Sequence, residues 1–221
     1  MGSDNLFHKK KAKTRDLARK QASRRRYDKV LVVCEGSKTE PAYFTEIKDY
    51  YEIDTANIKI SGDCGSAPIS VVNHAIELFK KESKECGEPF DRVFCVFDRD
   101  QHESYIQAIN IIDQQRPAKV FSAITSTPSF ELWFLLHFRY SASPIMANGG
   151  KSAGDRVIEE LLRYWPDYRK GAVGAFAHLM EKLDLATRLA LQLHNESKST
   201  GCDNPLTSVH ELVKYLKNMK Q

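Results

Sequence analysis

Lys29-Val30-Leu31-Val32-Val33-Cys34-Glu35-Gly36-Ser37-Lys38-Thr39-Glu40-Pro41 is the stretch that decides the fold. Val30 to Cys34 is unbroken apolar sequence with three valines. Continuous hydrophobicity suits a strand covered on both faces, whereas a half-exposed strand alternates. The run stops abruptly at Glu35-Gly36. Thr39 is placed to cap a helix, Pro41 fits the first turn, and Tyr43, Phe44, Ile47 and Tyr51 follow at helical spacing. A doubly covered strand leading directly into a helix is the building unit of a parallel sheet.

The same alternation continues downstream. Ile58-Lys59-Ile60 reads as a weaker strand, and Pro68 to Lys84 as a helix with Val71, Val72, Ala75, Ile76 and Phe79 on one face. Val93 to Phe97 is a second buried strand, and it stops at Asp98. Residues 103–115 read as a helix, Lys119 to Ile124 as a strand, and Thr127-Pro128 opens an apolar helix over Phe130 to Phe138. The expected fold class is therefore α/β, a mostly parallel sheet with helices on both faces. Residues 140–155 hold Pro144, Gly149, Gly150 and Gly154 and read as a loop. Beyond it the periodicity predicts helices only, at about 155–164, 174–196 and 207–218. Ser208 and Glu211 stand at capping-box spacing. The expected division is a basic arm over 1–28, an α/β domain over 29–140 and a helical C-terminal region over 141–221.

Hydrophobic residues make up 42% of the 221, enough for a substantial core. No apolar run approaches the length of a membrane span, and the basic N-terminus lacks a secretory signal pattern. The five cysteines show no C-x-x-C spacing, so neither a disulfide framework nor a zinc site is indicated. A reducing cytoplasm is the expected location. The net charge of +4 is unevenly spread: residues 8–29 hold eleven Lys or Arg against two Asp, and residues 30–221 are mildly acidic. An arm containing Arg24-Arg25-Arg26 is suited to phosphates, so nucleic acid is the expected partner; a solvated tail is the alternative.

In an open parallel sheet, ligands bind beyond the carboxyl ends of the strands. Glu35 and Asp98 end two of the strongest strands, and Asp100 follows two residues later. Like charges so close repel unless a cation lies between them, and hard oxygen ligands suit Mg²⁺ or Mn²⁺. A lone D-x-D is a weak signal. Its pairing with E-G-x-x-T-E carries more weight.

Val32 to Glu40 resembles the glutamate motif of TOPRIM domains, and Phe97-Asp98-Arg99-Asp100 resembles their aspartate motif. More closely, the whole chain is similar to RloB-type proteins, a TOPRIM-like group found beside restriction–modification and other phage-defence genes. The features that carry this likeness are the basic lead-in, Cys34 to Phe44, Phe97 to Asp100, Ser126 to Phe138 and Asn204-Pro205-Leu206-Thr207. The resemblance implies a TOPRIM-like fold as in OLD-type nucleases, with Asp98 and Asp100 as Mg²⁺ (or Mn²⁺) ligands and Glu35 either joining them at the metal or acting in acid–base chemistry. It also implies a metal-dependent nuclease acting in phage defence on RNA (such as tRNA) or DNA, with defence-system proteins as partners. The alternative is a non-catalytic nucleic-acid- or partner-binding effector on the same fold.

Glu131, in the first turn of the apolar helix, is a candidate to complete the catalytic set, because a charge there needs a partner. Lys38, Arg99, Ser129, Lys151 and Arg24 to Arg26 are candidates for nucleic-acid contacts. Glu40 is explained equally well by the dipole of the helix it opens. His137 reads as a core histidine. No P-loop, Ser-His-Asp or Cys-His arrangement is present.

Overall fold

The computed structural model describes residues 27–55, 57–62, 64–65, 67–99 and 104–219. The expected basic arm, Arg24 to Arg26 included, and Asp100 lie outside the described residues. The elements run β1 (Val30–Cys34), α1 (Thr39–Tyr50), β2 (Ile58–Ser61), α2 (Pro68–Cys86), β3 (Arg92–Asp98), α3 (Tyr105–Gln114), β4 (Phe121–Thr127) and α4 (Glu131–Leu135). There follow α5 (Ala153–Leu161), α6 (Ala175–Leu179), a 3₁₀ turn (Met180–Lys182), α7 (Leu183–Thr200), β5 (Leu206–Thr207) and α8 (Val209–Asn218).

The strands form one sheet in the order β2-β1-β3-β4-β5. β1 to β4 are mutually parallel, which bears out the expected fold class. The order also explains which face each helix covers. Right-handed crossovers put a helix on one face when the chain steps one way, and on the other face when it steps back. β1 to β2 steps outward, and α1 covers one face with Tyr43, Phe44 and Ile47. The next two crossovers step the other way, and α2 and α3 cover the opposite face with Val71, Val72, Ala75, Ala108 and Ile112. β1 lies between the two layers. Val30, Val32 and Cys34 join one core and Leu31 and Val33 the other, all fully buried. This is why the run is continuously apolar. Burial of each such side chain contributes about 1.5–3 kcal/mol.

The expectation of helices alone beyond residue 141 needs correction. Leu206–Thr207 pairs antiparallel with β4 and extends the sheet. So short a strand leaves no periodicity to read. Hydroxyl groups hold it: Ser126 and Thr207 side chains meet at 2.9 Å, and Ser208 Oγ accepts from the Thr125 N–H at 2.8 Å. Ser208 therefore makes no side-chain cap on α8. Likewise Thr39 does not cap α1; it is the first helical residue, and its hydroxyl accepts from the Gly171 N–H at 2.9 Å. A capping box forms instead at Ser152 and Asp155. The helix expected over 174–196 is interrupted by the 3₁₀ turn. α6, α7 and α8 all pack into the α1-side core.

That core is centred on aromatic rings. Tyr43 makes ring contacts with Phe44, Phe130, Phe134 and Phe176, and its hydroxyl accepts the Trp133 indole N–H at 2.8 Å. Tyr43→Phe keeps the ring and leaves that buried N–H without an acceptor, at a cost of about 1–3 kcal/mol. For a chain of this size the melting temperature should fall by about 2–4 °C per kcal/mol, readable by circular dichroism. An unchanged melting temperature would show that this hydrogen bond contributes nothing net.

Candidate functional site

The sheet reverses its direction of build between β1 and β3, since the chain leaves β1 toward β2 and returns to place β3 on the other side. Such a switch point opens a crevice at the carboxyl ends of the two strands. Glu35 follows β1 directly, and Asp98 is the last residue of β3. The ladder continues past β1, with the Glu35 N–H donating to the Val96 carbonyl at 2.9 Å. Glu35 Oε2 in turn accepts the Asp98 backbone N–H at 3.0 Å, tying together residues 63 positions apart.

Two further carboxylates arrive from helix starts. Glu40, in the first turn of α1, folds back over Gly36: a Cβ on Gly36 would lie 2.2 Å from Glu40 Oε2. Only glycine leaves the carboxylate that space. Glu131 opens α4 beyond β4 and is 3% exposed. It is held by the Ser129 hydroxyl at 2.8 Å, the Tyr168 hydroxyl at 3.1 Å and Lys170 Nζ at 3.6 Å. The Phe130 backbone N–H favours the ionised form of the Asp98 carboxyl group.

Gly36, Ser37, Lys38, Thr39, Glu40, Asp98, Glu131, Lys170 and Gly171 line a cleft of about 240 Å³. Its charge is unbalanced. Burial raises the Asp98 carboxyl group well above the ordinary carboxylate range, and Glu40, Glu131 and Glu35 raise it further. Burial, then Glu131 and Glu35, push Glu40 up to about 7, while its own backbone N–H and Lys170 act the other way. A donor set made only of carboxylate oxygens, in mutual repulsion that protons relieve, fits a hard divalent cation.

The structure brings Asp98, Glu131 and Lys38 to this cleft, sets Glu35 beside it through the Asp98 N–H, and leaves other candidates outside it. Arg99 pairs with Asp203, and its guanidinium lies 5.0 Å from the centre of the Tyr105 ring. The Ser129 hydroxyl is directed at Glu131 within buried structure. Lys151 pairs with Glu159 at 3.3 Å on the surface. His137 is fully buried, with Nδ1 2.9 Å from the Trp133 carbonyl oxygen. Glu40 takes a place that its position in a first turn left open.

Tyr168, Lys170 and Gly171 had no sequence signal. They lie on a turn far along the chain, where Gly171 has φ +75° and a Cβ would meet Lys38 Cβ at 2.8 Å. That close packing, with the Thr39–Gly171 hydrogen bond, delivers Lys170 to the carboxylates.

The family model described as RloB-like protein matches residues 30–216. The chain belongs to the RloB-like protein family. The matched span includes every cleft residue from Gly36 to Gly171 and ends within α8. Neither a curated protein nor a solved structure matches the chain. No helix among the described residues is long and apolar enough to cross a membrane.

Proposed function

We propose that this RloB-like protein is a Mg²⁺- or Mn²⁺-dependent nuclease that hydrolyses phosphodiester bonds of RNA or DNA in phage defence. The reading rests on one observation: Glu35, Glu40, Asp98 and Glu131 converge with Lys38 and Lys170 at the sheet's switch point. The resemblance to TOPRIM motifs points the same way, and supplies the defence setting through the genes that such proteins accompany.

Asp98 and Glu35 would hold the ion, with Glu131 and Glu40 beside them, and Asp100 is the further ligand that the D-x-D spacing suggests. A bound divalent ion supplies Lewis-acid stabilisation of charge on the phosphate oxygens. The protein's own groups do the rest. Glu35 is oriented by the Asp98 N–H. Glu40, held near neutrality, accepts and returns a proton at the attacking or leaving oxygen. Lys38 and Lys170 contact the phosphate, and Ser129 and Tyr168 fix Glu131. The arm with Arg24 to Arg26 contributes salt-sensitive attraction along the strand.

The test is incubation of the full chain with labelled RNA and DNA, with and without Mg²⁺ or Mn²⁺. Cleavage should require the ion and disappear in Asp98→Ala. Binding of either nucleic acid without cleavage, unaffected by metal, would favour the non-catalytic effector. Gly36→Ala offers a second check. Its methyl group displaces the flexible end of Glu40 and not the backbone. The fold should therefore persist while Mn²⁺ affinity falls by about tenfold, a loss typical of a disturbed ligand environment. Unchanged Mn²⁺ affinity by calorimetry would remove Glu40 from the ion's surroundings.

A further inference from the structure

A second cluster lies away from the carboxylate cleft, where α7 and α8 meet beside β5. His194 of α7 and His210 and Glu211 of α8 each present one ligand atom, all within 4.8 Å of one another. The imidazole rings stand 5.3 Å apart at 68°. His194 Nε2 lies 3.1 Å from the Thr207 carbonyl oxygen. A carbonyl can only accept, so Nε2 carries the proton and Nδ1 keeps its lone pair. A backbone carbonyl fixing the tautomer of a histidine is the usual outer partner of a metal-binding imidazole. His210 is 4% exposed, and its Nδ1 is buried with no hydrogen-bond partner. A buried polar atom without a partner is costly and calls for a ligand. Glu211 is exposed at the rim of an adjoining cleft of about 440 Å³, also lined by Asp184 and Thr187.

We propose that His194, His210 and Glu211 bind a divalent transition metal, of which Zn²⁺ fits best. Two imidazole nitrogens and one carboxylate suit zinc and leave a fourth position for water from the open cleft. Bonds of about 2.0–2.2 Å would draw the ligand atoms to roughly 3.3 Å apart. Glu211 is exposed, so its side chain can turn toward the imidazoles as the site closes. The ion clamps α7 to α8, and both helices pack into the α1-side core. The proposal is independent of the cleavage reading, because its donors are mainly nitrogen and lie outside that cleft.

The experiment uses the full chain carrying Asp98→Asn, Cys86→Ser and Cys202→Ser, which weakens the carboxylate cleft and removes the exposed thiols. Zn²⁺ titration by calorimetry, and Co²⁺ titration followed by visible absorption, should give one equivalent with a tetrahedral Co²⁺ spectrum. His194→Ala should weaken binding by about 100-fold and Glu211→Gln by about tenfold. Zn²⁺ should raise the melting temperature of the background protein and not of His194→Ala. Absence of a stoichiometric site, or affinity unchanged in both variants, would overturn the proposal. Should His194→Ala fail to fold, Glu211→Gln alone decides, because its side chain is on the surface.

Discussion

Replacing Asp98 by Asn is expected to lower Mg²⁺-dependent cleavage by about 10³-fold or more and, in EDTA, to raise the melting temperature. The first effect follows from charge. A bound divalent ion supplies several kcal/mol of transition-state stabilisation, and each 1.36 kcal/mol is tenfold in rate. Asp98 stands at the end of β3, between Glu35 and the start of α4, and an amide there is a poor partner for a hard cation. The second effect follows from the same surroundings. Burial, Glu40, Glu131 and Glu35 all oppose the ionised form of Asp98. Asparagine is neutral without the proton uptake that burial imposes on Asp98, and its NH₂ donates toward the neighbouring carboxylates. Mg²⁺ should therefore raise the melting temperature of the wild type only; at 100 times Kd such binding contributes about 2.7 kcal/mol. A variant that loses activity because it is destabilised in EDTA would contradict this account. Function held at the expense of stability is its signature.

Glu35 and Asp98 were legible in the sequence for one reason. Each ends a continuous apolar run, so the residue that breaks the run marks a strand's carboxyl end, and parallel topology brings such ends together. The bilateral cores explain why the runs were so plain: β1 and β3 are covered from both sides. Glu40 was ambiguous because a helix dipole explains an acid in a first turn without any site. What resolves it is the space over Gly36, a feature of three dimensions. Lys170 and Tyr168 were invisible because their turn reaches the cleft only through the packing of Gly171 on Lys38 and its hydrogen bond to Thr39, 132 positions away. β5 was missed because two residues held by hydroxyl groups carry no hydrophobic period. The place of Arg99 between two aspartates marks it as a cation near the strand end and names no partner; Asp203 comes from the distant C-terminal region.

Between pH 6.5 and 8.5 the metal-free protein should lose stability as pH rises. Glu40, at about 7 in the folded chain, lies above its ordinary value, so the folded state holds a proton that the unfolded state has released. The stability this contributes is complete below about pH 4.5 and is lost as pH rises through about 7. Asp98, raised in the same direction, extends the loss to higher pH. The groups facing Glu40 from its neighbours are Glu35, Glu131 and Lys170. Two buried histidines act oppositely: His137 and His210 are both lowered to about 4, chiefly by burial, so they favour folding as pH rises toward 6.5. At pH 6.5 their unfolded-state titration is only about half complete, so up to pH 8.5 the two histidines offset about as much as Glu40 loses, and Asp98 decides the net fall. Glu40 itself removes about 0.8 kcal/mol between pH 6.5 and 8.5, which is read as the difference in slope between the wild type and Glu40→Gln, about 2–3 °C in melting temperature. Saturating Mg²⁺ should reverse the trend, since the ion competes with these protons and binds more tightly as Glu40 ionises. Glu40→Gln should flatten the slope in EDTA. Melting curves across this range decide the matter: a wild-type slope that is flat or rising in EDTA, or one that Glu40→Gln leaves unaltered, would mean that the cleft carboxylates do not share protons in the way their burial and proximity require.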